Sequence, residues 1–210
     1  MFNVIKGFDL SAIGTLPTGI AFDGRNLWIL FSTSDRIYCF NRDGYPISSF
    51  VLPILGSVFR GLAFDGKYIY SIYQTLKKVY IFDINGAVVN SFSISGMGGA
   101  SHGICFNGKY FVLIDITNSR LQLYDRDFNL IKLVDISGST GLFQTVGFHN
   151  GNYLVTNTTL DTLTSFNSDF LPISQISCSP IGALKSITSD GKDIWCTDNS
   201  NAFMYHCSIS

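Results

Sequence analysis

The sequence predicts an all-β chain folded as a five-bladed β-propeller, with four antiparallel strands to a blade. Three observations predict it. A six-residue motif recurs five times at a near-constant spacing of 42, and each copy carries the punctuation of tight hairpins. The N-terminal segment also matches the one strand that the last copy lacks.

The motif is Gly19-Ile20-Ala21-Phe22-Asp23-Gly24, followed by Gly61-Leu62-Ala63-Phe64-Asp65-Gly66 and Gly103-Ile104-Cys105-Phe106-Asn107-Gly108. A degraded fourth copy is Thr145-Val146-Gly147-Phe148-His149-Asn150, and the fifth is Ser186-Ile187-Thr188-Ser189-Asp190-Gly191. A regular period of this length marks a repeat architecture, and four short strands in roughly 40–50 residues is the size of a propeller blade.

Each motif ends its strand, a, in Asp-Gly or Asn-Gly, a hairpin signal. An apolar strand b follows, such as Leu27-Trp28-Ile29-Leu30 or Tyr110-Phe111-Val112-Leu113. Its nearly unbroken apolar run fits a sheet covered on both faces. Strand c comes after a polar loop, as in Lys78-Val79-Tyr80-Ile81-Phe82. A second turn, such as Ile84-Asn85-Gly86, leads to strand d, as in Ile47-Ser48-Ser49-Phe50-Val51-Leu52.

The fifth copy stops after strand c. Shifted by one repeat, the N-terminal segment aligns Ile5 with Ile47, Phe8 with Phe50 and Leu10 with Leu52. It is therefore expected to be strand d of the last blade, closing the ring and hiding two sheet edges. The expected blades are 19–52, 61–94, 103–136, 145–178 and 186–210 completed by 2–10, in one domain spanning 1–210. A parallel solenoid, the rival for any repeat, does not suit four strands joined by tight antiparallel turns.

Composition agrees. Hydrophobic residues are 46% and charged residues 14%, and the net charge of −1 offers no basic surface for nucleic acid. No apolar run approaches the roughly 18 residues of a membrane span, so no membrane insertion is expected. All 15 acidic residues are aspartates. Glutamate suits helices, whereas aspartate suits turns. The first ten residues lack a signal-peptide pattern, and the five cysteines contain no CxxC pair, so cytoplasmic synthesis with reduced, packed thiols is expected.

Segments such as Gly61-Leu62-Ala63-Phe64-Asp65-Gly66-Lys67-Tyr68-Ile69-Tyr70, followed by Val79-Tyr80-Ile81-Phe82-Asp83, resemble the NHL, YncE and SMP-30/gluconolactonase-like propellers. The resemblance spans the chain but rests on blade-building residues, so it implies the fold and little about activity.

Aligned repeats separate scaffold from variation. Just before strand a stand Thr18, Arg60, His102, Gln144 and Lys185; at the top of strand b stand Phe31, Tyr73, Asp115, Asn157 and Asp198. Counting back from the hairpin turns places these opposite one another, Arg60 facing Tyr73, His102 facing Asp115, Gln144 facing Asn157 and Lys185 facing Asp198. The plainer reading is five self-satisfied cross-strand pairs, each contributing about 0.2–1 kcal/mol. The functional reading is a ring of convergent polar groups at one mouth of the channel, the place to look for a ligand. Phe59 and Phe143, in equivalent loop positions, are candidates to stack on a sugar or a protein, and the equal alternative is that they plug the gap between blades.

Asp115, Asn157 and Asp198 are oxygen donors of the kind calcium takes, and the resemblance to SMP-30-like enzymes implies a channel metal. Those enzymes also use a glutamate, which this chain lacks. Ser101 and His102 are strand neighbours pointing apart, and no nucleophile elbow is present, so no catalytic triad is expected. The favoured expectation is a non-catalytic, cofactor-free module binding a protein or glycan, a role that would also suit a particle-surface or virion component. The alternative is a calcium-dependent hydrolase or lactonase.

Overall fold

The computed structural model describes residues 1–54, 58–94, 96–137, 142–179, 181 and 184–209; Ser210, the last residue of the expected fifth blade, lies outside them. The regular structure is all strand. β1 (Phe2–Asp9) leads the chain. Blade one holds β2 (Pro17–Phe22), β3 (Leu27–Phe31), β4 (Arg36–Phe40) and β5 (Pro46–Val51). Blade two holds β6 (Phe59–Phe64), β7 (Ile69–Tyr73), β8 (Lys78–Phe82) and β9 (Val88–Ser93). Blade three holds β10 (Ser101–Phe106), β11 (Phe111–Asp115), β12 (Arg120–Tyr124) and β13 (Leu130–Asp135). Blade four holds β14 (Phe143–His149), β15 (Asn152–Asn157), β16 (Thr162–Phe166) and β17 (Pro172–Ser177). Blade five takes β18 (Leu184–Ser189), β19 (Ile194–Asp198) and β20 (Phe203–Ile209).

The five sheets are antiparallel, and the last has the order β18-β19-β20-β1. β1 runs against β20 from Phe2 opposite Ile209 to Asp9 opposite Phe203, with a register shift between Val4 and Lys6. The N-terminal strand thus closes the ring, as its alignment with the other d strands predicts. The innermost strands β2, β6, β10, β14 and β18 touch in succession, and β18 returns to β2.

Burial follows the strand order. β3, β7, β11 and β19 are buried at every position, because each second strand lies between two neighbouring blades. The outer strand β5 is buried only at Phe50. Five apolar clusters result, one per blade junction. Fully burying one such Leu, Ile or Phe contributes about 1.5–3 kcal/mol.

One latch recurs in all five blades. The residue after strand d is buried, and its N–H donates to the residue that enters strand c. The bonds are Leu10 to Ala202 and Leu52 to Asp35 (both 2.8 Å), Ile94 to Lys77 (2.8 Å), Ile136 to Ser119 (2.9 Å) and Cys178 to Asp161 (2.7 Å). Every acceptor residue has a positive φ, from 47° to 55°. The turn carbonyl swings towards the outer strand only in that conformation.

Between c and d the blades use two complementary solutions. Gly44 has φ +85°, and a Cβ there would sit 2.3 Å from the ring of Phe8, the outer-strand phenylalanine of blade five. Gly86 stands in the same relation to Phe50. In blade three the position is Phe128, held at φ 59°, and its ring stacks on Phe92 at 5.1 Å. A glycine turn admits the neighbouring blade's ring into its own space, whereas Phe128 stacks a second ring against it.

Gly44→Ala is expected to destabilise the protein by about 2 kcal/mol or more, combining the left-handed penalty with overpacking against Phe8. Gly24→Ala, at φ +96° but with no atom within 4 Å of the added Cβ, should cost only about 1 kcal/mol. Denaturant unfolding of the two variants measures the difference, and equal losses would remove the role given to Phe8.

Candidate functional site

The site begins with a backbone irregularity. At the start of each innermost strand one residue is extra, a β-bulge. Asp115 stands opposite Ser101, not His102, and the register resumes with Gly103 opposite Ile114. Likewise Leu184 faces Asp198, Phe143 faces Asn157, Phe59 faces Tyr73 and Pro17 faces Phe31. The pairs counted from the turns are therefore displaced by one residue in every blade. In blade two the extra residue is Gly61, and Arg60 keeps Ile72 opposite it. In blades three, four and five, His102, Gln144 and Lys185 at the irregularity meet one another across blades.

Lys185 Nζ donates to Gln144 Oε1 at 2.6 Å, and His102 Nδ1 lies 3.1 Å from the same oxygen. The ammonium fixes the amide orientation, and a carboxamide oxygen only accepts, so Nδ1 carries the proton and neutral His102 presents Nε2 as an acceptor. Burial pushes the imidazole down to about 4, with the charges of Lys185 and Arg60 acting in the same direction. Burial also lowers Lys185, with the Arg60 charge adding to it, and burial lowers Arg60. Arg60 has only a long bond from its guanidinium to the Phe59 carbonyl, 3.4 Å, and its Nε is buried without a partner. Thr18 Oγ1 is buried without a partner too. Thr18 is the mouth residue whose importance sequence reasoning passed over, although its place in the aligned ring was the available signal.

The second ring plays a different part. Asp115 is fully buried and accepts from Gly98 N (2.8 Å), Asn118 Nδ2 (2.8 Å), Gln122 Nε2 (3.2 Å) and Asn118 N (3.2 Å). Asp198 accepts from Ser200 N and Oγ at 2.8 and 2.6 Å and from Asn201 Nδ2 at 3.0 Å. Asn157 Oδ1 accepts from the N–H groups of Thr159 and Leu160. These side chains cap the loops that follow strand b. Donors already face the oxygens a calcium ion would need, so the set does not fit a metal, and no metal-binding cluster of His, Cys or acid occurs among the described residues.

Phe59 and Phe143 are core residues, 0% and 3% exposed. Phe59 stacks on Tyr73 at 5.0 Å and meets Phe82 at 6.0 Å, so neither ring can be offered to a sugar. Tyr73 is buried with them. The structure thus gathers Arg60, His102, Gln144 and Lys185 at the mouth and assigns Phe59, Tyr73, Asp115, Phe143, Asn157 and Asp198 to the scaffold.

Phenylalanines mark the other end of the channel. Phe22, Phe64, Phe106 and Phe148, at equivalent positions, line a cavity of about 90 Å³ with Ser189 in the fifth place. Arg42 lies over Phe22 and pairs with Asp190 at 3.2 Å; Arg126 lies over Phe106 and pairs with Asp65 at 3.4 Å. His149 bonds Ser189, and His206 bonds Asp193, both away from the mouth.

No family model matches the sequence, and no curated protein sequence does. Solved structures match as folds. Glutaminyl cyclase from Myxococcus xanthus aligns with a TM-score of 0.81 at 14% identity, covering 98% of this chain and 95% of that one. A catalytically inactive virginiamycin B lyase from Staphylococcus aureus with quinupristin gives 0.61 at 14% identity, over 92% of this chain and 66% of that one. A nidogen/laminin complex gives 0.65 at 15% identity, over 88% and 73%. These likenesses show the propeller architecture.

Two outcomes follow from the geometry. Asp115→Ala should cost about 2–4 kcal/mol by stranding buried donors, and calcium or a chelator should leave the wild-type melting temperature unmoved. A calcium-dependent rise would reinstate the metal. For His102 the folded state binds a proton less readily than the unfolded chain, so its contribution is present above pH 6.5 and is lost as pH falls towards about 4. Lys185 and Arg60, which face it, stay charged throughout that window. Melting temperatures should therefore show wild type losing more stability than His102→Gln between those pH values.

Proposed function

We propose that this propeller is a non-catalytic recognition module that grips a protein or glycan partner at the bulge-built mouth of its channel. The observation that carries the reading is the contrast between the two polar rings. The carboxylates that hydrolytic or metal chemistry would call upon are consumed as loop caps. The aligned mouth residues lie side by side, His102, Gln144 and Lys185 bonded in a chain, and Arg60 and Thr18 hold buried donors not yet used. Convergent polar groups at a concave mouth are what a binding site requires.

The architecture does not choose by itself, since the similar folds include a cyclase, a lyase and a nidogen/laminin assembly. At the mouth His102 is the available base, but it has no nucleophile beside it and its acceptor nitrogen is a weak base. The particle-surface setting that composition suits gains no support from the mouth.

Turnover and binding assays separate the possibilities. Lactone, ester and N-terminal glutaminyl peptide substrates should show no turnover above that of the His102→Ala, Gln144→Ala double variant. On arrays of immobilised glycans and peptides, wild type should retain ligands that the double variant loses. Turnover abolished by the two substitutions would overturn the non-catalytic reading. Identical array profiles would move recognition away from the mouth.

A further inference from the structure

The five mouth residues do not contribute equally. Along one arc His102, Gln144 and Lys185 form a continuous chain across blades three, four and five, with Gln144 Oε1 taking bonds from both neighbours. The remaining arc runs from Lys185 through Thr18 to Arg60, because β2 lies between β18 and β6. Four of the five aligned mouth residues carry longer side chains, and Thr18 is the short one. It lies on the strand between the one that carries the Lys185 ammonium and the one that carries the Arg60 guanidinium.

Among the described residues no acid pairs with those charges. The ion pairs among the described residues join Arg42 to Asp190, Arg126 to Asp65, and Lys192 and His206 to Asp193; none involves Arg60 or Lys185. Asp115 and Asp198, the nearest acids in sequence register, are turned into their own loops. Arg60 Nε has no acceptor, and neither does Thr18 Oγ1, on a residue 3% exposed. Buried donors without acceptors are uncommon and call for a specific explanation. Here a guanidinium, a hydroxyl and an ammonium all lack the same thing, an acceptor carrying negative charge.

We propose that the Arg60–Thr18–Lys185 arc is an anion-binding notch, which seats a carboxylate, phosphate or sulfate group of the partner over Thr18 between the two cations. This rests on the reading of the mouth as a binding site and names the chemistry it selects. Arg60 suits a forked oxyanion, Lys185 adds a point charge, and the Thr18 hydroxyl donates a third bond. Gln144 holds Lys185 from one side and His102 from the other, so an occupied notch is coupled electrically to the imidazole.

The test uses the whole protein with inorganic phosphate, glucuronate and N-acetyl-aspartate, each against sodium chloride at equal ionic strength. Phosphate reports the bare anion, glucuronate an acidic sugar, and N-acetyl-aspartate an acidic peptide. At least one should raise the melting temperature and shift the His102 imidazole upward in an NMR titration. Arg60→Gln and Lys185→Met should each weaken that binding roughly tenfold to a hundredfold, the loss expected for a charge-assisted hydrogen bond. The near-isosteric Thr18→Val tests the notch if either charge variant fails to fold, and should weaken binding by a smaller factor. Lys67→Gln, on the opposite face, should bind as wild type does. Absence of any anion-specific shift, or equal binding by the Arg60, Lys185 and Thr18 variants, overturns the proposal. If array ligands still depend on His102 and Gln144 while anions neither bind nor compete, only the anion assignment falls. If array binding is indifferent to the mouth, both readings fall.

Discussion

Closing a ring with only five blades leaves the innermost strands almost no slack, and much of the molecule follows from that. A Cβ on Gly103 would lie 2.6 Å from the Thr145 Cα on the next blade, so backbones pack against backbones along the channel. Strands this close cannot all begin flat and parallel to the axis. A one-residue bulge where each strand enters the ring lets the chain turn inward and then resume its register. In blades one, three, four and five that irregularity frees a side chain at the mouth, while in blade two it falls on Gly61 beside Arg60. Scaffold and site have a single geometric origin.

The second economy is in side-chain length. Asn41, Asp83, Asp125 and Asn167 each accept two backbone N–H groups from the turn between c and d. Asp23 closes the a–b turn and also takes the indole N–H of Trp28; Asp65 does the same with the Tyr70 hydroxyl and Asp190 with Trp195. A carboxylate one methylene from its own backbone reaches the N–H two residues on, and an extra methylene spoils that geometry. A chain with aspartate and no glutamate is thus the chemical record of a protein made of turns. The same logic removes Asp115 and Asp198 from metal chemistry.

Repeats, turns, the closing strand and the doubly buried strand b were legible because each leaves a periodic trace: spacing, Asp-Gly punctuation, or an unbroken apolar run. The bulge left none. Only Gly61, with φ 58°, marks it by residue type, while Thr18, His102 and Lys185 look like ordinary strand residues. Counting from the hairpin therefore slipped by one, and it converted contacts between blades into pairs within them. Phe59 and Phe143 were ambiguous for a different reason. A loop-edge phenylalanine reads alike whether it faces solvent or a neighbouring blade, and the neighbour is set by tertiary packing.

The two ends of the channel solve opposite electrostatic problems. At the phenylalanine end, cations sit over aromatic rings and each meets an aspartate from an adjacent blade, so charge is balanced within the protein. At the bulge end two cations are half-buried with no acid between them, and two buried donors have no acceptor. Each unmet donor costs about 1–3 kcal/mol. Nothing about ring closure demands that cost, since Gln144 shows that an uncharged, hydrogen-bonded residue fits at an equivalent place. Among the described residues no acid supplies negative charge to Arg60 or Lys185.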